Sequence, residues 1–351
     1  MDLKNLLITL ASSEGVGYMD TVADIAAKQL SPFSKVTKTD NCLMAEFGEG
    51  DYTIMLEAHM DEVAMIVTEV FDDGFLSVAP VGSIDARLLP AQPVKIYGKQ
   101  TVSGTFTSVP PHIKNEDSVP SFDTCKIDTG DMAIGEKVSQ GDLVLFDAPA
   151  IELKNNRISS KALDNRAGMA AVIMAAKKIA TQNPKSKVVL LFPTGEELGL
   201  RGARVSAYDI PADECIVVDV SFGDCMEVPA SKTAKLGSGA MIGISPVLDK
   251  NIYNKLKRFT SRAEHVDDLV FYHFFHHCAR VAKVLTGVKV TGEIVEVFTK
   301  CRRERYAQVG VDIDFADSHF SCLTEHIFWD TDCIWHMSAI SVNDFDIFLC
   351  D

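Results

Sequence analysis

The sequence predicts an α/β fold: a mixed, mostly parallel sheet flanked by helices, with a small all-β domain inserted into it. Short apolar runs bounded like buried strands alternate with helical periods on either side of the middle of the chain, the pattern of a sheet covered by helices. Between residues 69 and 155, Gly, Pro and Ser punctuate short Val/Ile/Leu runs and no helical period appears, which marks an all-β unit. The 351 residues are 47% hydrophobic, enough for a substantial core, and that length accommodates two domains. The α/β domain is therefore assigned to 1–68 and 156–351, and the inserted β domain to 69–155.

Leu3, Leu6, Leu7 and Leu10 follow helical spacing, and Ser12 to Gly17 read as a break. A second helix runs from Thr21 to Leu30 and stops near Pro32. Tyr52–Ala58 reads as a strand, with His59-Met60-Asp61-Glu62 at its end. Ser77–Pro80, Val94–Tyr97 and Leu143–Phe146 are short strand-like runs of the inserted unit. Asp164 stands just before an Ala-rich helical run, Met169–Ala180. Val188–Phe192 is a buried strand leading into Gly195-Glu196-Glu197, and Cys215–Val218 is another that ends in Asp219. A further strand is expected over Ala240–Ile244 and a helix over Lys250–Ser261.

The formal net charge of -15 argues against a nucleic-acid partner, which needs basic patches, and against an anionic membrane surface. The first apolar run is too short to span a membrane and lacks the marks of a signal peptide. Nine Cys without a Cys-x-x-Cys pair suggest neither a disulfide scaffold nor structural zinc. A reducing cytoplasm is the expected location.

In an open α/β sheet, ligands bind outside the carboxyl ends of the strands. His59, the Glu196–Glu197 pair and Asp219 each follow a predicted strand, and Asp164 precedes a helix. One imidazole and several carboxylates on one edge have the makings of a two-metal site suited to zinc, cobalt or manganese. Asp164 could bridge both ions, and Asp61 could orient His59 from its other ring nitrogen. Adjacent Glu side chains can point in different directions, so one could hold a metal while the other moves protons. Each residue has a duller explanation: a structural His, an Asp164 helix cap, an Asp219 turn, a solvated Glu pair. Their joint occurrence at the ends of successive elements argues against coincidence. Glycoside hydrolysis by the Glu pair is disfavoured, because adjacent residues do not flank a sugar bond from opposite faces.

The order and spacing of four segments are similar to those of the M42 glutamyl aminopeptidase family, two-metal aminopeptidases some of which were once labelled endoglucanases. The segments are His-Met-Asp-Glu at 59–62, Lys-Ala-Leu-Asp-Asn-Arg-Ala-Gly at 161–168, Gly-Glu-Glu-Leu-Gly-Leu-Arg-Gly-Ala at 195–203 and Val-Val-Asp-Val at 217–220. Val94–Lys99 and Pro110-Pro111-His112 resemble the family's inserted domain. The resemblance implies a zinc-peptidase-like fold and hydrolysis of peptides with a free amino terminus. It also implies two divalent ions, Zn²⁺ or Co²⁺, with Mn²⁺ an alternative. His59 and Asp219 would hold one ion, Asp164 would bridge, and Glu197 would hold the other. Glu196 would be the general base and Asp61 the orienter of His59. The inserted domain would mediate dimer contacts within a homo-oligomer, a hollow dodecamer in several members.

The resemblance stops near Glu264. The family's remaining ligand, a His in an Arg-Tyr-Met-His-like segment, has no match here. Arg305-Tyr306-Ala307-Gln308 offers Gln308 at that place, and an amide is a much weaker zinc ligand than imidazole. Residues 265–351 hold seven of the nine His, five of the nine Cys and both Trp. Three readings stay open: a divergent tail with His319 or another His as ligand, a frameshifted reading of the gene, and a paralogue impaired at its second metal site and acting as a peptide-binding or oligomeric protein. The abruptness of the change favours the second.

Overall fold

The computed structural model describes residues 1–16, 21–110, 112, 119–223, 240–243, 248–262 and 340–341. Gln308, His319 and nearly all of the tail lie outside the described residues. In chain order the elements are α1 (Leu3–Ala11), α2 (Thr21–Leu30), β1 (Lys35–Lys38), β2 (Cys42–Phe47) and β3 (Thr53–Glu57). Then come β4 (Ala64–Val70), β5 (Phe75–Val81), β6 (Pro93–Tyr97), β7 (Thr101–Phe106), β8 (Ile127–Asp128) and β9 (Leu143–Phe146). The chain continues with β10 (Ile151–Leu153), β11 (Arg157–Ser159), α3 (Leu163–Ala180), β12 (Lys187–Pro193), α4 (Arg201–Asp209), β13 (Glu214–Val217), α5 (Lys250–Arg262) and β14 (Ile340–Ser341).

Two units form. Among the described residues, the first takes Met1–Asp61 and those from Ala150 onward, the second Glu62–Pro149. In the first, a five-stranded sheet runs β1-β2-β12-β3-β13. β12, β3 and β13 are mutually parallel, while β2 is antiparallel to β12 and β1 to β2. The sheet is thus mixed, with three of its five strands mutually parallel, in keeping with the mixed, mostly parallel sheet expected. β12 is buried from Val188 to Pro193 without alternation, the mark of a strand covered on both faces.

α3 packs against α1, α2 and β12. Its Ala167, Ala170 and Ala176 are wholly buried, and such small side chains let a helix lie close to its neighbours. Asp2 starts α1 by accepting the Asn5 N–H at 2.8 Å, a standard N-cap bond, and Leu6, Leu7 and Leu10 face the core. A small sheet of order β10-β11-β14 completes this unit.

The second unit is a closed barrel of order β4-β5-β8-β7-β6-β9, antiparallel throughout. Met65, Leu76, Val94, Ile96, Phe106, Ile127 and Val144 fill it. Closure leaves no strand edge exposed to pairing. The barrel begins at Ala64 rather than near Glu69, and Ile151–Leu153 pairs with β11 of the first unit. Apolar residues follow Glu62 without an intervening turn signal, so the sequence carries no mark of the earlier boundary.

Of the strand expected over Ala240–Ile244, residues 240–243 are irregular and Ile244 lies outside the described residues; Gly243 weakens strand propensity there. Among the described residues no helix is long and apolar enough to cross a membrane.

Candidate metal centre

The site lies in the first unit, at the carboxyl ends of its parallel strands. Hydrogen bonding continues beyond the strands proper: Ala58 N–H donates to Leu191 O at 3.1 Å, Met60 N–H to Pro193 O at 2.9 Å and Val218 N–H to Glu57 O at 2.7 Å. These bonds hold the segment carrying His59 between the exit of β12 and the segment carrying Asp219.

His59 is 2% exposed. Its Nε2 lies 2.9 Å from Asp164 Oδ1, 3.8 Å from Asp219 Oδ1 and 4.0 Å from Glu196 Oε2. Ligand atoms of His59, Asp164 and Asp219 all fall within 4.8 Å of one another. Glu197 is outside that triple, though close enough for the charges of Asp164, Glu196 and Asp61 to act on it.

After β12 the chain must leave the sheet at once, and Gly195 makes this turn at φ +67°, where a side chain would be strained. Asp61 then fixes the loop. Its Oδ1 accepts the Glu196 N–H and its Oδ2 the Glu197 N–H, each at 3.1 Å. Asp61 Oδ1 also stands 3.4 Å from His59 Nδ1. That is long for a hydrogen bond, and the ring nitrogen has no better partner among the described residues.

Asp164 sits on no strand, and it does not cap α3. Residue 162 takes the cap position, while Asp164 and Asn165 depart from helical geometry across a cis peptide bond. Buried Asn165 donates from Nδ2 to Val218 O at 2.7 Å and accepts the Gly168 N–H on Oδ1 at 3.0 Å. Arg166, wholly buried, donates from Nη1 to Leu10 O at 2.9 Å and to Ser13 Oγ at 3.1 Å. It thereby ties the start of α3 to the end of α1. Neither Asn165 nor Arg166 is singled out by sequence reasoning. The available signal was an Asn and an Arg directly after an acid at a helix start, which is too common to weigh.

Burial alone would lower the His59 pKa. The hydrogen bond to Asp164, the close Asp61 carboxylate and the nearby Glu196 and Asp219 charges overcome it and hold the imidazole well above its usual range. Burial, and then the Asp164 charge, push Glu197 well above the ordinary carboxylate range, with His59 opposing. So many acids around one imidazole disfavour their own ionisation unless positive charge joins them.

The donor set fits a divalent ion. Tetrahedral zinc with ligand bonds near 2.1 Å places neighbouring donors roughly 3.4 Å apart. The 2.9 and 3.8 Å separations at His59 Nε2 bracket that spacing.

The fold is one shared with aminopeptidases of known structure. The structure is similar to an aminopeptidase from the archaeon Desulfurococcus kamchatkensis, with TM-score 0.70, 26% identity and coverage of 80% of this chain and 82% of that one. It is also similar to the Pyrococcus horikoshii TET1 peptidase, with TM-score 0.69 and 26% identity over 80% and 87% of the two chains. That peptidase can assemble into a tetrahedron or a large octahedral shell. In sequence the chain is 28% identical over 255 residues to the lysyl aminopeptidase of Pyrococcus furiosus, covering 70% of this chain and 71% of that protein. The model of the M42 glutamyl aminopeptidase family matches residues 41–267, and the chain belongs to that family of peptide-bond hydrolases.

Proposed function

We propose that the protein is a metal-dependent aminopeptidase that removes amino-terminal residues from short peptides. The observation that carries this is the gathering of His59, Asp164 and Asp219 within 4.8 Å beside the Glu196 carboxylate. His59 and Asp219 would hold one ion and Glu197 a second, with Asp164 shared between them. Divalent ions bound there would polarise the scissile carbonyl and make water acidic enough to react near neutral pH.

Glu196 takes the proton from the attacking water and delivers it to the leaving amine. Its Oε2 stands 4.0 Å from His59 Nε2, so its carboxylate lies beside the proposed ion site. Asp61 holds Glu196 and Glu197 by their backbone N–H groups, which keeps the base and the adjacent ligand in fixed relation. A homo-oligomer built on dimer contacts of the inserted barrel accords with the shell-forming relative. Cys42, Cys125 and Cys215, unpaired as thiols, accord with a cytoplasmic setting.

The test is release of free amino acids from short peptides by the purified full chain supplied with Zn²⁺ or Co²⁺. Turnover abolished by chelator and restored by metal is expected; turnover indifferent to chelator would overturn the metal-dependent reading. One observation favours a second reading, an impaired paralogue that binds peptides or serves an assembly: the family model matches only residues 41–267, and beyond them no segment like the one that carries the family's remaining His is found, Arg305-Tyr306-Ala307-Gln308 being the nearest. One ion per chain with no turnover would favour it, and two ions would count against it.

A further inference from the structure

Three of the four segments that build the site are stitched together by the sheet: those after β3, β12 and β13. The fourth, carrying Asp164, lies at the start of a helix and gains nothing from the strand ladder. We infer that Asn165 is the positioning residue that sets the separation of Asp164 and Asp219, and hence the affinity of the site for its ion. The inference rests on the metal-site reading above.

The geometry makes Asn165 a cross-brace. Its Nδ2 donates to Val218 O at 2.7 Å, on the residue directly before Asp219. Val218 is gripped from the other side by its own N–H, which donates to Glu57 O. One amide therefore joins the Asp164 segment to the strand end that carries Asp219 and, through it, to β3 and His59. The other end of the amide is fixed as well, since its Oδ1 accepts the Gly168 N–H at 3.0 Å.

Gly168 belongs to the same device. A Cβ at that position would lie 2.2 Å from Asn165 Oδ1, far inside contact distance, so a larger residue would displace the amide. Asn165 is 1% exposed, and a buried amide that donates and accepts at once has a fixed orientation. Supports of this kind change metal affinity about ten- to a hundredfold when removed.

The test separates the two ends of the brace. Asn165→Asp keeps an oxygen toward Gly168 N–H but sets an acceptor against Val218 O in place of the donor. Gly168→Ala leaves the amide intact and pushes it away. Zinc affinity is measured on metal-stripped full chain by competition with a chromophoric chelator, at a temperature where circular dichroism shows every variant folded.

Both single variants are expected to bind zinc about ten- to a hundredfold more weakly than the parent. Adding Gly168→Ala to Asn165→Ala should change affinity less than about twofold, because the group it displaces is gone. A purely structural role would lower the melting temperature of the metal-free protein and leave the affinity of the folded variants unchanged. Affinities within about twofold of the parent would therefore overturn the inference. If Asn165→Asp does not fold, Gly168→Ala alone decides the matter by the same criterion. A parent that binds no zinc would overturn the metal-site reading and this inference together, whereas binding by the parent with unaffected variants would overturn this inference alone.

Discussion

Asp61 Oδ1 accepts the backbone N–H of Glu196 at 3.1 Å across 135 positions of chain. The bond joins the loop after β3 to the loop after β12, and the other Asp61 oxygen repeats it at Glu197. A buried carboxylate holding two backbone donors makes charge-assisted bonds, stronger than neutral ones.

Asp61→Ala should therefore strand two N–H groups. Both donors are part-buried, so the expected loss is at most about 1–3 kcal/mol for each one left unsatisfied, measured by urea unfolding of the metal-free protein. Turnover should fall as well, because Glu196 would lose its anchor. A variant with parental stability and parental kcat would show that Asp61 supports neither the loop nor the reaction.

Glu196→Gln preserves shape but removes the proton acceptor. Turnover on a short peptide should fall about a hundredfold to ten-thousandfold, the usual contribution of a general base. Metal content by elemental analysis should be unchanged. Parental turnover would remove Glu196 from the mechanism; lost metal would make it a ligand instead.

The perturbed groups give a pH dependence of definite sign. The folded metal-free protein holds the His59 pKa well above 6.5 and that of Glu197 well above 4.5. A raised folded pKa means that the folded state binds the proton more tightly than the unfolded chain. The Glu197 contribution is full below about pH 4.5 and is lost as pH rises through its folded value; that of His59 is full below about pH 6.5 and is lost likewise. Thermal melts in chelator should therefore fall with rising pH. Zinc must displace these protons, so the gap between melts with zinc and with chelator should widen over the same range. A gap independent of pH would contradict the assignment of His59 and Glu197 as ligands.

Phe192, wholly buried near the end of the central strand β12, should cost about 3–5 kcal/mol when cut to alanine, as read by denaturant unfolding of the metal-free chain. A loss under about 1 kcal/mol would mean that the site edge of the sheet relaxes around the cavity.

The sheet was legible because its strands announce themselves: Val188–Phe192 is an unbroken apolar run and is buried throughout. Helix α2 begins and ends where a helical period and Pro32 place it. The meeting of His59 and Asp219 follows from parallel strands that end on one edge, a rule of topology that residue order conveys, whereas Asp164 joins them from the start of α3. What the sequence concealed was side-chain direction. It suggested Asp61 for His59, and Asp61 Oδ1 lies 3.4 Å from the ring, but it gave no sign that the same carboxylate also holds the two Glu N–H groups at 3.1 Å. Asn165 was equally hidden, since its partner Val218 is 53 residues away and no local pattern signals a bond to a carbonyl.

The wide spacing of the donors bears on biogenesis. His59 and Asp164 are 105 positions apart, and Asp219 follows much later. While the ribosome is still translating the stretch before Asp219, the nascent polypeptide has no complete cage to offer. If these residues hold the ion as proposed, metallation would wait on synthesis and sheet assembly, and zinc uptake timed against translation would report when that sheet closes.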